Sequence, residues 1–151
     1  ARFKDLYLSG GVYLGGTGSA NKLDDYESGQ FNAHIYDDSG QITSHTQQAR
    51  YIKVGQLCHI DIEIYSNGVS NVTVNTRAWI NLPFVGLSGT NAIFLPHYYN
   101  GTGSINSGYI NGTVQRLYLT NNRDEPFGNN VGGTTIGGTM RLYGNLTYRT
   151  A

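Results

Sequence analysis

Leu57-Cys58-His59-Ile60-Asp61-Ile62-Glu63-Ile64-Tyr65 alternates apolar and polar residues without a break. A period of two puts Cys58, Ile60, Ile62 and Ile64 on one face of an extended strand, and His59, Asp61 and Glu63 on the other. An apolar face of that kind needs a second layer over it, so the stretch predicts a half-buried strand in a layered β protein. The pattern recurs at 140–149, where Met140, Leu142, Gly144, Leu146 and Tyr148 oppose Arg141, Tyr143, Asn145, Thr147 and Arg149. Shorter alternations run over 31–36 and 72–79, and 92–98 and 107–120 supply further strand material.

The intervening residues are turn formers. Asp37-Asp38-Ser39-Gly40 reads as a turn and Asn67-Gly68 as a hairpin signal. Pro83 has no amide donor, so a strand should end there, with Phe84 plugging the edge. The Gly-, Asn- and Ser-rich segment 99–108 reads as a loop, as do the stretch from Arg123 to Gly128 and the glycine-rich run at 131–138. No segment holds the i, i+3, i+4, i+7 template of an amphipathic helix without an intervening Gly or turn signal. Seven or eight strands joined by tight turns predict an all-β fold: an antiparallel β-sandwich of jelly-roll type over residues 31–151.

Residues 1–30 stand apart from that body. Leu6-Tyr7-Leu8 and Val12-Tyr13-Leu14 are two apolar clusters closed by paired glycines, and residues 15–30 are polar and glycine-rich. Neither cluster can carry a core alone. They either pack against equivalents from other chains, as a shaft remnant, or pair as a hairpin within the monomer. The polar stretch reads as a linker or collar.

Ten basic and ten acidic residues cancel to a formal net charge of zero. With no basic stripe there is no electrostatic footprint for nucleic acid. No apolar run reaches the length of a membrane span, so membrane insertion is not expected. Cys58 is the only cysteine, which excludes an intrachain disulfide and a thiolate metal site; its place in the alternation predicts a buried, inert thiol.

Catalytic patterns are weak. Asp61 and Glu63 share a strand face at i, i+2, roughly 6.5–7 Å apart by strand rise, a separation a glycosidase pair could use. Nothing nearby in sequence would hold either one protonated, and no enzyme is expected. His59 and Asp61 share that face too, but two ligands do not make a metal site, and no cofactor is expected. Recognition by loop side chains remains. Saccharide binding needs flat rings for sugar faces and Asn, Asp or Arg for hydroxyls. His97, Tyr98, Tyr99 and Asn100, with Tyr109 beyond them, are the first candidates, and Arg123 and Asp124 form a second polar loop. Trp79 is open to two readings, ligand stacking or packing in the core or between subunits.

Four segments taken in order resemble the carboxy-terminal domains of bacteriophage tail fibres and tailspikes. They are the leader from Asp5 to Gly18, the acidic-aromatic Tyr26-Glu27-Ser28-Gly29-Gln30-Phe31, the lead-in Tyr51-Ile52-Lys53-Val54-Gly55, and the strand-ending Leu82-Pro83-Phe84. The resemblance covers about residues 5–84; beyond it the chain matches only in general strand character. It departs from the family in carrying Cys58 and His59 within the long strand. The resemblance implies a homotrimer on a virion tail appendage whose tip contacts host cell-surface polysaccharide or protein without catalysis. A trimerisation cap with no ligand of its own is the second reading, and a polysaccharide depolymerase the third.

Overall fold

The computed structural model describes residues 4–23, 25–43, 48–69, 78–88, 91–102, 105–120 and 137–151. Its strands are β1 (Val12–Tyr13), β2 (Lys22–Leu23), β3 (Tyr26–Asn32), β4 (Ile35–Asp37), β5 (Gly40–Gln41) and β6 (Gln48–Val54), followed by β7 (Leu57–Val69), β8 (Trp79–Asn81), β9 (Asn91–Thr102), β10 (Ser107–Asn111), β11 (Arg116–Thr120) and β12 (Gly137–Arg149). A three-residue 3-10 turn at Ser19–Asn21 is the only helical element among the described residues. β1 and β2 form a small hairpin-like pair, and the other ten strands make one curled antiparallel sheet in the order β3-β6-β7-β12-β9-β10-β11-β8-β4-β5. The fold is therefore all-β, antiparallel and sandwich-like, with more strands than the sequence pattern suggests.

The long alternations behave as period two requires. Cys58, Ile60, Ile62 and Ile64 of β7 are buried beside Met140, Leu142, Leu146 and Tyr148 of β12, which pairs with β7 along most of its length. Ile35, Ile80, Phe94, Ile110, Leu117 and Leu119 from the other half of the sheet join the same core cluster. At about 25 cal/mol per Å² of buried apolar surface, that shared interior is what pulls the sheet over on itself.

β9 belongs to both halves. Its first residues pair with β10 (Ile93↔Tyr109, Phe94↔Gly108), and its later ones pair with β12 (Leu95↔Asn145, Tyr98↔Tyr143). The register with β12 slips by one between Pro96 and Tyr98, so His97 is the extra residue of a β-bulge. A bulge sharpens the local twist, which suits a strand that turns from one layer into the next.

Three expectations need correction. Asn67-Gly68 does not turn the chain. β7 continues through it to Val69, and the register with β12 shifts there, so the dipeptide serves as a bulge. Segment 99–108 is not one loop: β9 runs to Thr102 and β10 starts at Ser107, because Leu142↔Tyr99, Arg141↔Asn100 and Gly137↔Thr102 pairing satisfies the backbone of a locally polar stretch. The body begins at Tyr26 rather than Phe31, since β3 pairs with β6 over its whole length. The alternation expected at 72–77 lies outside the described residues. Elsewhere the turn chemistry holds. Asp37 Oδ1 accepts hydrogen bonds from the Ser39 amide (2.8 Å) and hydroxyl (2.5 Å), closing the β4–β5 hairpin at Asp37↔Gly40.

Three of the four segments singled out in the sequence meet at one place. The Tyr51 ring lies across Gly29, its cross-strand partner, where a Cβ would stand 2.9 Å from the ring carbons. Its hydroxyl donates to Glu27 Oε1 at 2.5 Å, and that bond, with some burial, pushes the phenol pKa up. Phe84 packs edge-on against Tyr51 at 5.1 Å, and Lys53 lies over the Phe84 ring while pairing with Asp25. Leu82, Pro83 and Phe84 end β8 as expected.

Candidate functional site

On the outer face of the half built from β3, β6, β7, β12 and β9, antiparallel register lines up polar residues from neighbouring strands. Gln30 pairs with Arg50, Arg50 with Asp61, Asp61 with Asn145 and Asn145 with Leu95. The row crosses five strands, roughly 19 Å at the usual strand spacing. Each member faces outward because its sequence neighbours face the core: Ile60 and Ile62 flank Asp61, and Gly144 and Leu146 flank Asn145.

Two grooves lie on this face. A groove of about 640 Å³ is lined by Gln48, Arg50, Asp61, Glu63, His97 and Tyr143. A second of about 340 Å³ takes in Ser28, Gln30, Ile52 and His59 and shares Arg50 and Asp61 with the first. The two are one trough, with the Arg50–Asp61 pair at the middle. At one end the exposed His97 ring stacks on Tyr143, with centroids 6.3 Å apart and planes 27° from parallel. His59 Nε2 lies 3.6 Å from Asp61 Oδ1 and its Nδ1 lies 2.8 Å from Thr147 Oγ1, which fixes the imidazole at the other end. Guanidinium, carboxylate and amide groups beside two flat rings supply the donors, acceptors and stacking surface that a polyhydroxylated ligand needs.

The residues expected to bind are divided. His97 is in the trough, placed there by the bulge. Tyr98, Tyr99 and Asn100 follow it within β9, their backbones paired to β12 rather than opening a loop. Tyr109 lies elsewhere, in a cross-strand aromatic row formed by Tyr36, Trp79, Tyr118 and Tyr109 on the other half of the sheet. Its ring stacks on Tyr118 at 5.4 Å, Trp79 stacks on Tyr36 at 6.2 Å, and Arg116 covers Trp79 at 4.3 Å. Trp79 is thus packed among rings of its own chain. Arg123 and Asp124 lie outside the described residues.

Arg50, Asn145 and Tyr143 are not among the contacts the sequence suggests; Asp61 enters there only as a weak catalytic pair with Glu63 and a weak ion-binding pair with His59. Their alternation was visible in the sequence; the register that sets them side by side was not. No group of three or more His, Cys, Asp or Glu side chains suited to a metal ion occurs among the described residues. In comparisons with protein-family models, curated proteins and solved structures, nothing matches the chain.

Proposed function

We propose that this chain is a non-catalytic, glycan-binding tip domain of a trimeric virion tail appendage, and that it binds in the outer trough. The observation that carries the binding reading is the row Gln30–Arg50–Asp61–Asn145, a line of hydrogen-bonding side chains across the outer face of the sheet beside the His97–Tyr143 stack. The assignment to a virion appendage is supported by the ordered resemblance of the leader and of the segments that meet around Tyr51.

The test is binding of the folded chain to host cells and to a glycan array. Arg50→Gln combined with Tyr143→Thr should weaken binding at least ten-fold, about 1.4 kcal/mol. Threonine keeps a strand-favouring residue at 143, and circular dichroism checks that the fold is retained. Unchanged binding by the folded double variant would remove the trough from consideration.

Assembly is a separate measurement. Leu6 and Tyr7 are 76% and 91% exposed, and Leu8, Tyr13 and Leu14 also face solvent in the single chain. A contiguous apolar leader of this kind is suited to burial against symmetry-related copies. Sedimentation should give three times the mass of one chain, falling to one when Leu6, Tyr7 and Leu8 are all changed to Ser. Three linked sites would then multiply a weak affinity. A trimerisation cap without a ligand is the second reading, favoured by the fact that the matching segments meet at Tyr51 rather than in the trough. A trimer that binds neither cells nor glycans would establish it.

A further inference from the structure

We infer that the trough selects neutral oligosaccharides and discriminates against chains that carry carboxylates. This rests on the trough being the binding site and goes on to name the class of ligand it takes.

The inference comes from the charges that face the ligand. Among the described residues lining the trough, Arg50 is the one guanidinium, and it is outnumbered by the carboxylates of Asp61 and Glu63. The other cations on this half are committed elsewhere. Arg141 lies over the Tyr65 ring at 4.9 Å, Arg149 Nη2 donates to Gln56 Oε1 at 3.0 Å, and Lys53 pairs with Asp25 beside Phe84. Arg50 and Asp61 are cross-strand partners in register, and the two carboxylates of the trough exceed the single Arg50 charge. Ser28, Gln30 and Gln48, which also line the trough, are neutral donors and acceptors suited to hydroxyls. An acidic sugar entering here meets a net negative surface, with Arg50 the one guanidinium against the carboxylates of Asp61 and Glu63. Acidic-glycan sites are built the opposite way, with arginines in excess.

The experiment uses the full chain at a single fixed pH. Its probe is an array of neutral oligosaccharides printed beside the same chains bearing uronic acids. Neutral members should bind, and each acidic counterpart should bind about five-fold or more weakly at low salt, the gap narrowing as salt screens it. Glu63→Gln should shrink the neutral-to-acidic ratio, since it removes one repelling charge while keeping the side-chain length. Acidic chains binding as tightly as neutral ones, with that binding still lost in the Arg50→Gln, Tyr143→Thr variant, would overturn the inference and leave the trough as the site. Binding of either class that survives that variant, or no binding at all, would overturn both.

Discussion

Gly144→Ala should unfold at a lower urea concentration than the parent, losing about 1–3 kcal/mol. A Cβ at this position would sit 2.2 Å from Cε2 and 2.4 Å from Cζ of Phe94, well inside contact distance. The ring has no room to withdraw. Phe94 is fully buried, and on its other side a Cβ on Gly108 would already stand 3.3 Å from Cδ1. Two glycines on flanking strands thus make the slot that this ring fills, at the point where β9 passes from one layer to the next. Either the ring leaves its rotamer or β12 moves away from β9, and both cost energy in a close-packed interior. A double-mutant cycle checks the mechanism: in a Phe94→Leu background the alanine should cost measurably less. Equal stability of Gly144→Ala and parent would show that the contact is not restrictive.

The second large effect is expected at Tyr148. Its buried hydroxyl donates to the Phe84 carbonyl at 3.1 Å and accepts from the Phe84 amide at 3.3 Å, pinning the segment after Pro83 to β12. Tyr148→Phe keeps the packing but deprives both backbone groups of their partner, with an expected loss of about 1–3 kcal/mol. Alkali gives an independent readout. Burial, with a contribution from neighbouring Cys58, raises the Tyr148 pKa far above the ordinary tyrosine value. The folded chain therefore holds a proton that the unfolded chain releases near pH 10. A folded pKa above the unfolded one gives stability that is complete below about pH 10 and is lost as pH rises past it. The Cys58 thiol, raised chiefly by burial, acts in the same direction from a lower starting pH. Tyr148→Phe should accordingly show a shallower decline in stability between pH 10 and 12 while keeping the Cys58 part. Parallel curves for the two proteins would refute the assignment.

Sequence reasoning succeeds here wherever one segment decides its own environment. The faces of β7 and β12, the Asp37–Gly40 turn, the stop at Pro83 and the buried Cys58 all follow from local pattern. It fails wherever a partner strand decides. Asn67-Gly68 has the chemistry of a tight turn, yet long-range pairing with β12 absorbs it as a bulge. Tyr99 to Thr102 belong to a stretch of loop-like composition, yet β12 supplies a ladder and they extend. The same distinction governs the site. That Asp61 faces away from the core is legible from its own strand; that it stands between Arg50 and Asn145 depends on two registers that no single segment encodes. His97 is recognisable as an exposed aromatic, but only the one-residue slip in β9 brings it beside Tyr143.

The position of β12 bears on how the molecule comes together during synthesis. This strand lies between β7 and β9, which precede it in the chain, and contacts them more extensively than any other pair of elements meets. Until residues 137–149 emerge, each of those earlier strands presents an open hydrogen-bonding margin, and Ile60, Ile62 and Ile64 lack their neighbour. Closure is therefore a late, long-range event, of the kind that folds slowly and invites mispairing between nascent copies. Chains cut short before Gly137 should accumulate as insoluble material rather than as a smaller soluble domain.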